Sequence, residues 1–162
     1  MRFLTGGRPT PRRTLADAHL PRFLHRHACT GMPGFWAAEQ LSTGHFLGWL
    51  ELRPLDGDPT SAELGYRLRR DAWGHGYPTE GARALLAMAF TEWGVRRVVA
   101  TTMTVNAASR RVMEKVGLQY ARTFFGDWPE VIAGSEYVEV EYELSRETWL
   151  RSSAAIRPPV DP

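Results

Sequence analysis

The sequence predicts a single α+β domain built on one mixed sheet, and three observations carry that prediction. First, ELGYRLRR (63–70) reads as a strand that runs through the glycine turn DAWGHGYPTEG (71–81) into an Ala/Leu-rich helix. Second, RRVVATT (96–102) is a β-branched strand that leads to Asn106 and the helix NAASRRVMEKVG. Third, the segments on either side of this unit alternate apolar and polar residues with the period of two that strands require. At 162 residues the chain fits one domain with a sizeable core, placed over residues 1–150, with residues 151–162 as a disordered tail.

Taken in order, residues 1–13 hold Gly6-Gly7 and two prolines and read as an irregular lead-in. Thr14 to Ala28 is helix-like, with Leu15, Ala18, Phe23 and Leu24 as core contacts, and Pro21 divides it into two pieces or kinks it. Phe35 to Gln40 and Phe46 to Arg53 form a hairpin across LSTGH. Pro54 to Ser61 is a polar loop, and Glu63 to Arg69 is the next strand, with Leu64, Tyr66 and Leu68 on one face. Pro78 and Glu80 suit a first helical turn, where a missing N–H costs little and a negative charge favours the dipole. Ala82, Leu85, Leu86, Ala89, Phe90 and Trp93 then recur at helical spacing up to Gly94. Arg97 to Met103 is a strand, and Asn106 opens a helix that buries Ala108, Val112 and Val116 and closes on Gly117. Leu118 to Phe125 is a strand, Gly126 to Ser135 a loop, and Glu136 to Leu144 an antiparallel strand with one wetter face. Arg146 to Leu150 adds a helical turn, and Ser152 to Pro162 is frayed.

Composition excludes several classes of function. The 43% hydrophobic and 23% charged residues are those of a soluble globular protein. No run of about 18 apolar residues exists to span a membrane, and the opening segment lacks the apolar stretch of a signal peptide. Cys29 is the sole cysteine, so no intrachain disulfide forms and a cytoplasmic setting is the default. The five histidines form no metal-ligand pattern with it, and no metal is expected. Twenty basic residues against eighteen acidic ones are near balance, and the glutamates of the last strand oppose a nucleic-acid track. The densest basic clusters, Arg67/Arg69/Arg70 and Arg110/Arg111, border the central unit and suit a small anionic cofactor better.

WGHGYPTE is neither a P-loop, for want of the GK[ST] ending, nor a dinucleotide fingerprint, for want of the third glycine and distal acid. Two readings of it stay open: a turn that offers main-chain N–H groups to an anion, and a tight strand-to-helix connection with no ligand. Asn106 and Ser109 have the spacing of a cap and a first-turn hydroxyl; they either serve the helix alone or also face a cofactor.

Joined together, ELGYRL, WGHGYPTE, the small-residue helix and NAASRRVMEKVGL resemble the GCN5-related N-acetyltransferase superfamily, specifically its ribosomal-protein-alanine acetyltransferase-like branch. The likeness is strong over Glu63 to Leu118 and weaker over residues 1–62 and 119–150. It implies a mostly antiparallel sheet flanked by helices, with splayed central strands that form a cleft for acetyl-CoA. By that resemblance the strand Tyr66 to Arg69 parts from Arg97 to Met103 and pantetheine lies between them, with backbone donors near Leu68. Trp73, Gly74, His75, Gly76 and Thr79 form the pyrophosphate turn, and Asn106 bonds the pantetheine arm. Ser109 sits near the sulfur as general acid, and Arg110 and Met113 flank the far end of the cofactor.

Two departures from the family pattern bear on function. Pro78 removes one N–H donor from the turn, a loss that Thr79 can make good through its own N–H and hydroxyl. About sixty residues precede Glu63, fewer than the family's first strand and helix need, so these elements are expected to be absent and the hairpin edge open. A homodimer partner or an altered N-terminus would cover that edge. The implied reaction is attack of a primary amine, on a protein N-terminus or a small molecule, on the thioester. Glu63 and Glu51 are the candidate bases, Glu136 a more distant one, and Trp36, Trp49 and Trp128 candidate acceptor-pocket walls. The competing reading is a non-catalytic acyl-CoA-binding module or assembly partner.

Overall fold

The computed structural model describes residues 10–24, 34–55, 58–125 and 138–155. Its first helical stretch is α1 (Arg12–Thr14), a π-helical turn (Leu15–His19) and α2 (Leu20–Leu24) in unbroken succession. Pro21 lacks an N–H, and its ring crowds the carbonyl four residues back, at Asp17. The wide π turn before it accommodates both defects, so the expected kink is a bulge inside one continuous stretch. None of these residues is buried, which corrects the core role expected for Leu15, Ala18 and Leu24. Phe23 docks, its ring 4.5 Å from Phe35 and 5.2 Å from Trp49, with the Arg22 guanidinium carbon 5.8 Å from the Phe35 ring centre.

Six strands follow: β1 (Phe35–Glu39), β2 (Phe46–Leu55), β3 (Asp58–Leu68), β4 (Arg97–Met103), β5 (Gln119–Phe124) and β6 (Glu139–Ser145). Their order across the sheet is β1-β2-β3-β4-β6-β5, and every pairing is antiparallel except β3 with β4. The hairpin across residues 41–45 forms as expected. The loop expected over Pro54 to Ser61 is mostly strand instead, because the Asp58 carboxylate accepts from the Thr60 N–H at 2.9 Å and from the Thr60 and Ser61 hydroxyls at 2.7 and 2.6 Å. These bonds hold the chain straight as it enters β3. The parallel pairing of β3 with β4 covers only Ser61↔Arg97, Ala62↔Val98 and Glu63↔Val99. Both strands run on beyond it, to Leu68 and Met103, without pairing each other.

Helices α3 (Tyr77–Thr91) and α4 (Ala107–Lys115) cover one face of the sheet. From α3, Ala82, Leu85, Leu86, Ala89 and Phe90 enter the core as their spacing predicts, against Leu52, Leu64, Val98, Ala100 and Tyr142 of the strands. Complete burial of such a side chain contributes roughly 1.5–3 kcal/mol, so this face anchors the fold. In α4 the buried residue is Met113, with Val116 just beyond the helix, whereas Ala108 is exposed and Val112 only half-buried. A final helix, α5 (Arg146–Ala155), runs past the single turn expected at 146–150. The Ser145 hydroxyl caps it by accepting the Thr148 N–H at 3.1 Å, Trp149 packs on Phe90 at 5.5 Å, and Arg146 donates to the Phe90 carbonyl at 2.8 Å. That docking fixes a segment whose own periodicity is weak. On the opposite sheet face, Phe23 packs at the β1 end, and the side chains of Glu51, Arg53, Glu63, Arg97 and Glu141 form a charged network. Ala28, Glu136, the 126–135 loop with Trp128 and the 156–162 tail lie outside the described residues.

Candidate active site

The site begins where β3 and β4 separate. In antiparallel pairs, residues alternate between bonding their partner strand and turning both backbone groups away from it. The Arg69 N–H bonds the Leu47 carbonyl at 2.8 Å, so the alternation aims the backbone groups of Leu64, Tyr66 and Leu68 away from β2 and into the gap. Trp73 donates its indole N–H to the Leu68 carbonyl at 3.0 Å, which leaves the Leu68 N–H facing the cleft. The unpaired edge expected near Leu68 is therefore present.

At one end of the gap lies the glycine turn. A 3-10 turn, Arg70–Ala72, leads to Trp73, and Gly74 and Gly76 follow with φ of 81° and 84°. Left-handed backbone of this kind turns successive N–H groups the same way, and glycine adopts it without a Cβ penalty. Among the described residues, no N–H from Gly74 to Tyr77 donates to a protein acceptor, and the four lead into a 15-residue helix of which Gly76 is the N-cap and Tyr77 the first residue. The Thr79 N–H bonds the Gly76 carbonyl at 2.9 Å, so of the two groups expected to replace the donor that Pro78 lacks, the hydroxyl alone is left for it. The backbone donors present are those of residues 74–77. The His75 ring is exposed and stacks on Tyr77 at 5.7 Å.

On the β4 side of the gap, Asn106 caps α4 by accepting the Ser109 N–H at 3.3 Å, and it donates to the Thr102 hydroxyl at 3.1 Å. Tyr66 reaches across from β3: its hydroxyl lies 3.0 Å from the Ser109 carbonyl, to which it donates, and 3.1 Å from Ser109 Oγ. Burial pushes the Tyr66 phenol up to about 12, partly offset by the Ser109 hydrogen bond. Tyr66, Ser109 and Asn106 are thus brought together. Three other expected cofactor residues are engaged elsewhere. Arg69 pairs with Asp71 at 2.6 Å. Arg110 donates to the Tyr142 hydroxyl at 3.1 Å and the Thr104 carbonyl at 3.3 Å, and that hydrogen bond to Tyr142 chiefly raises its pKa. Met113 is 2% exposed and fills the core, because the burying face of α4 is turned by one position from the one expected.

The charged face of the sheet meets the same gap from behind. Arg53 donates to Glu51 at 3.1 Å and to Glu63 at 2.7 Å, and Thr101 donates to the other Glu63 oxygen at 3.2 Å. Both candidate bases therefore belong to one network, and both oxygens of Glu63 are occupied. The side chain of Glu51 lies across Gly65, where any Cβ would collide with it, so the glycine of the ELGY stretch is what lets this carboxylate approach β3. An open cavity of about 480 Å³ extends from Glu63 over Thr101, Arg97, Arg122, Glu141 and Glu143. Sequence reasoning missed Glu139. It is 9% exposed and stands opposite Met103 at the splayed end of β4; burial first, then the charge of Glu63, raise its carboxyl pKa. Alternation with Val140 marked it only as a residue of a wetter face. No cluster of metal-binding side chains occurs among the described residues.

A sheet that opens between two parallel strands, with anion-ready N–H groups at one mouth and carboxylates on the far face, is built for an extended anionic cofactor and a second substrate. The comparisons agree. A family model described as an acetyltransferase (GNAT) domain matches residues 1–119. A crystal structure of a probable acetyltransferase superposes with a TM-score of 0.71 at 26% identity, over 87% of this chain and 77% of that one. The chain is 39% identical over 132 residues to an FsC-acetyl coenzyme A-N(2)-transacetylase of Aspergillus fumigatus, covering 77% of this chain and 56% of the relative. It is also 39% identical over 99 residues to the uncharacterised protein YkkB of Bacillus subtilis, covering 60% of this chain and 57% of that one. The chain belongs to the GNAT acetyltransferase family, and it spans a little over half the length of these two relatives.

Proposed function

We propose that the protein is an acetyl-CoA-dependent N-acetyltransferase that acts on a primary amine. The observation that carries this reading is the end of the β3–β4 pairing at Glu63/Val99 while both strands continue. Acetyl-CoA, when bound, supplies a thioester carbonyl for the amine to attack, with the CoA thiol as leaving group. The N–H groups of residues 74–77 suit its pyrophosphate, and those of Tyr66 and Leu68 suit an extended arm and a carbonyl oxygen that gains charge. The residues present fit the cofactor.

The chain's own groups then divide the proton work. Glu139 takes the proton that the amine loses: it is buried at the splayed end of β4, and burial and the charge of Glu63 raise its carboxyl pKa, which makes the carboxylate a better base. Glu63, whose charge reaches Glu139, helps to hold the ammonium form of the acceptor, and Glu51 adds to the same network through Arg53. The Ser109 hydroxyl returns a proton to sulfur, and Tyr66, 3.1 Å from it, orients that hydroxyl. No helix of the described residues is long and apolar enough to cross a membrane, and a single cysteine suits a reducing cytoplasm. The acceptor is a small molecule or a protein N-terminus.

Thiol release from acetyl-CoA, followed over amino acids, polyamines and peptides, tests the reading. Turnover on at least one amine is expected, with Ser109→Ala lowering kcat by about 10²-fold or more, as loss of a positioned proton donor does. CoA binding by calorimetry with no turnover on any acceptor would refute catalysis while leaving the cofactor site standing.

A further inference from the structure

Arg67 has no role in the mechanism above, and its surroundings call for one. It lies in the unpaired part of β3, on the charged face of the sheet, and the guanidinium carbon sits 5.0 Å from the centre of the Trp49 ring. Among the described residues it donates no hydrogen bond and joins no ion pair, although a guanidinium carries five donors. Glu51, the carboxylate that acts on it electrostatically, is bonded to Arg53 instead. Arg67 is only half exposed, and burial lowers its pKa. A half-buried guanidinium with no protein acceptor keeps its donor fork free for a ligand anion, with less water to displace than a fully exposed one.

The register says where that anion would stand. Glu63 is level with Val99 in the parallel pair, so four residues on Arg67 comes level with Met103, and Met103 is paired with Glu139. Arg67 and Glu139 therefore flank the open cleft at the same height and on the same face, one from β3 and one from β6. Adjacent strands are about 4.8 Å apart, and two strand intervals, one of them splayed open, separate this pair by about 10 Å or more at the backbone. That is too far for a direct ion pair and suits a ligand with a positive and a negative end. Trp49 holds the guanidinium plane in place, and a planar fork matches a carboxylate through two parallel hydrogen bonds.

We propose that the acceptor is a zwitterion, a primary amine that also carries a carboxylate, with Arg67 receiving the carboxylate and Glu139 facing the amine. This rests on the acetyltransferase reading and narrows its substrate class to molecules of amino-acid type. The alternative acceptor with no anion near its amine leaves Arg67 without a partner.

The test compares L-amino acids, lysine and ornithine included, with their carboxamides in the thiol-release assay. The carboxamide keeps size and amine but removes the negative charge. The wild type is expected to show kcat/KM at least tenfold higher for the best carboxylate than for its carboxamide, with the difference in KM. Arg67→Met should bring that ratio close to one, and Arg67→Lys, which keeps the charge and loses the fork, should give an intermediate ratio. Thermal melts of both variants accompany the kinetics, so that a folding defect is seen as such. Equal rates on carboxylate and carboxamide in the wild type overturn the proposal, as does an Arg67→Met variant that folds and keeps the full ratio. Turnover on polyamines or peptides alone defeats it while leaving the acetyltransferase reading intact; no turnover on any acceptor defeats both.

Discussion

Tyr66→Phe isolates the hydroxyl that ties β3 to α4. The ring stays in place, and the bonds to the Ser109 carbonyl at 3.0 Å and to Ser109 Oγ at 3.1 Å are lost. A hydrogen bond of this kind contributes about 1 kcal/mol net, so at pH 8 the wild type should be the more stable by about that amount. Its sign should then change with pH. The Tyr66 phenol is raised from an ordinary 10.0 to about 12 in the folded protein, so the folded state holds the proton more tightly than the unfolded chain. The stabilisation is complete below pH 10 and is lost as pH rises towards 12, because there the unfolded chain has released a proton that the native state still binds. With about 1.4 kcal/mol for each pH unit in that window, the loss reaches roughly 1.4 kcal/mol at pH 11. That exceeds the hydrogen bond, so near pH 11 the phenylalanine variant should match or overtake the wild type. Urea unfolding of both proteins at pH 8, 9, 10 and 11 measures the difference directly, and every other titrating group cancels in it. A wild-type advantage that stays constant to pH 11 would show that the phenol is not buried against Ser109, and the relay assigned to the pair would fall with it.

Three further substitutions address the turn and the base. Gly76→Ala meets open space but forces alanine to a φ of 84°, a strain of about 1–2 kcal/mol per residue for left-handed backbone. The helix start should relax, and CoA affinity measured by calorimetry should fall by about tenfold; unchanged affinity would remove the turn from the cofactor site. Glu139 should set the acid limb of the kcat/KM–pH profile, activity falling as the carboxylate is protonated. Glu63→Gln deletes the neighbouring charge that helps to raise Glu139, so the limb should move to lower pH, and Glu139→Gln should abolish it. A limb that ignores both substitutions assigns the base elsewhere.

Strands and helices whose signal is local were legible in the sequence. Arg97–Met103 is the observed β4 to the residue, and five of the six positions foreseen as the apolar face of α3 are buried, with Trp93 packed against the core's edge. Asn106 caps α4 as its residue type requires. What was not legible depends on which strands end up side by side. β6 inserts between β4 and β5, so a glutamate that alternation marks as wet becomes 9% exposed at the cleft. Tyr66 and Ser109 are 43 residues apart, and no periodicity records their contact. Nor does motif position record that Arg69 bonds an aspartate two residues on and Arg110 a tyrosine from β6. The length of α5 was missed for a related reason: its stability comes from Ser145, Phe90 and the Arg146 contact rather than from its own sequence pattern.

A sheet that stops pairing in mid-strand gives up ladder hydrogen bonds, and side chains replace part of what is lost. Trp73 satisfies the Leu68 carbonyl, Tyr66 fastens β3 to α4, and Asn106 fastens α4 back to Thr102 on β4. The last two contacts link β3 to β4 through α4, the first is local to the end of β3, and the remaining β3 backbone groups are left to a ligand. The same alternation that points Tyr66 at Ser109 on the helix side sends Arg67 to the opposite face, since neighbouring residues of a strand face opposite ways. One dipeptide thus serves both substrates of the proposed reaction: Tyr66 acts through Ser109 on the leaving group, and Arg67 selects the acceptor. A substitution at either residue should for that reason leave a distinct kinetic signature, in kcat for Tyr66 and in the KM of the acceptor for Arg67.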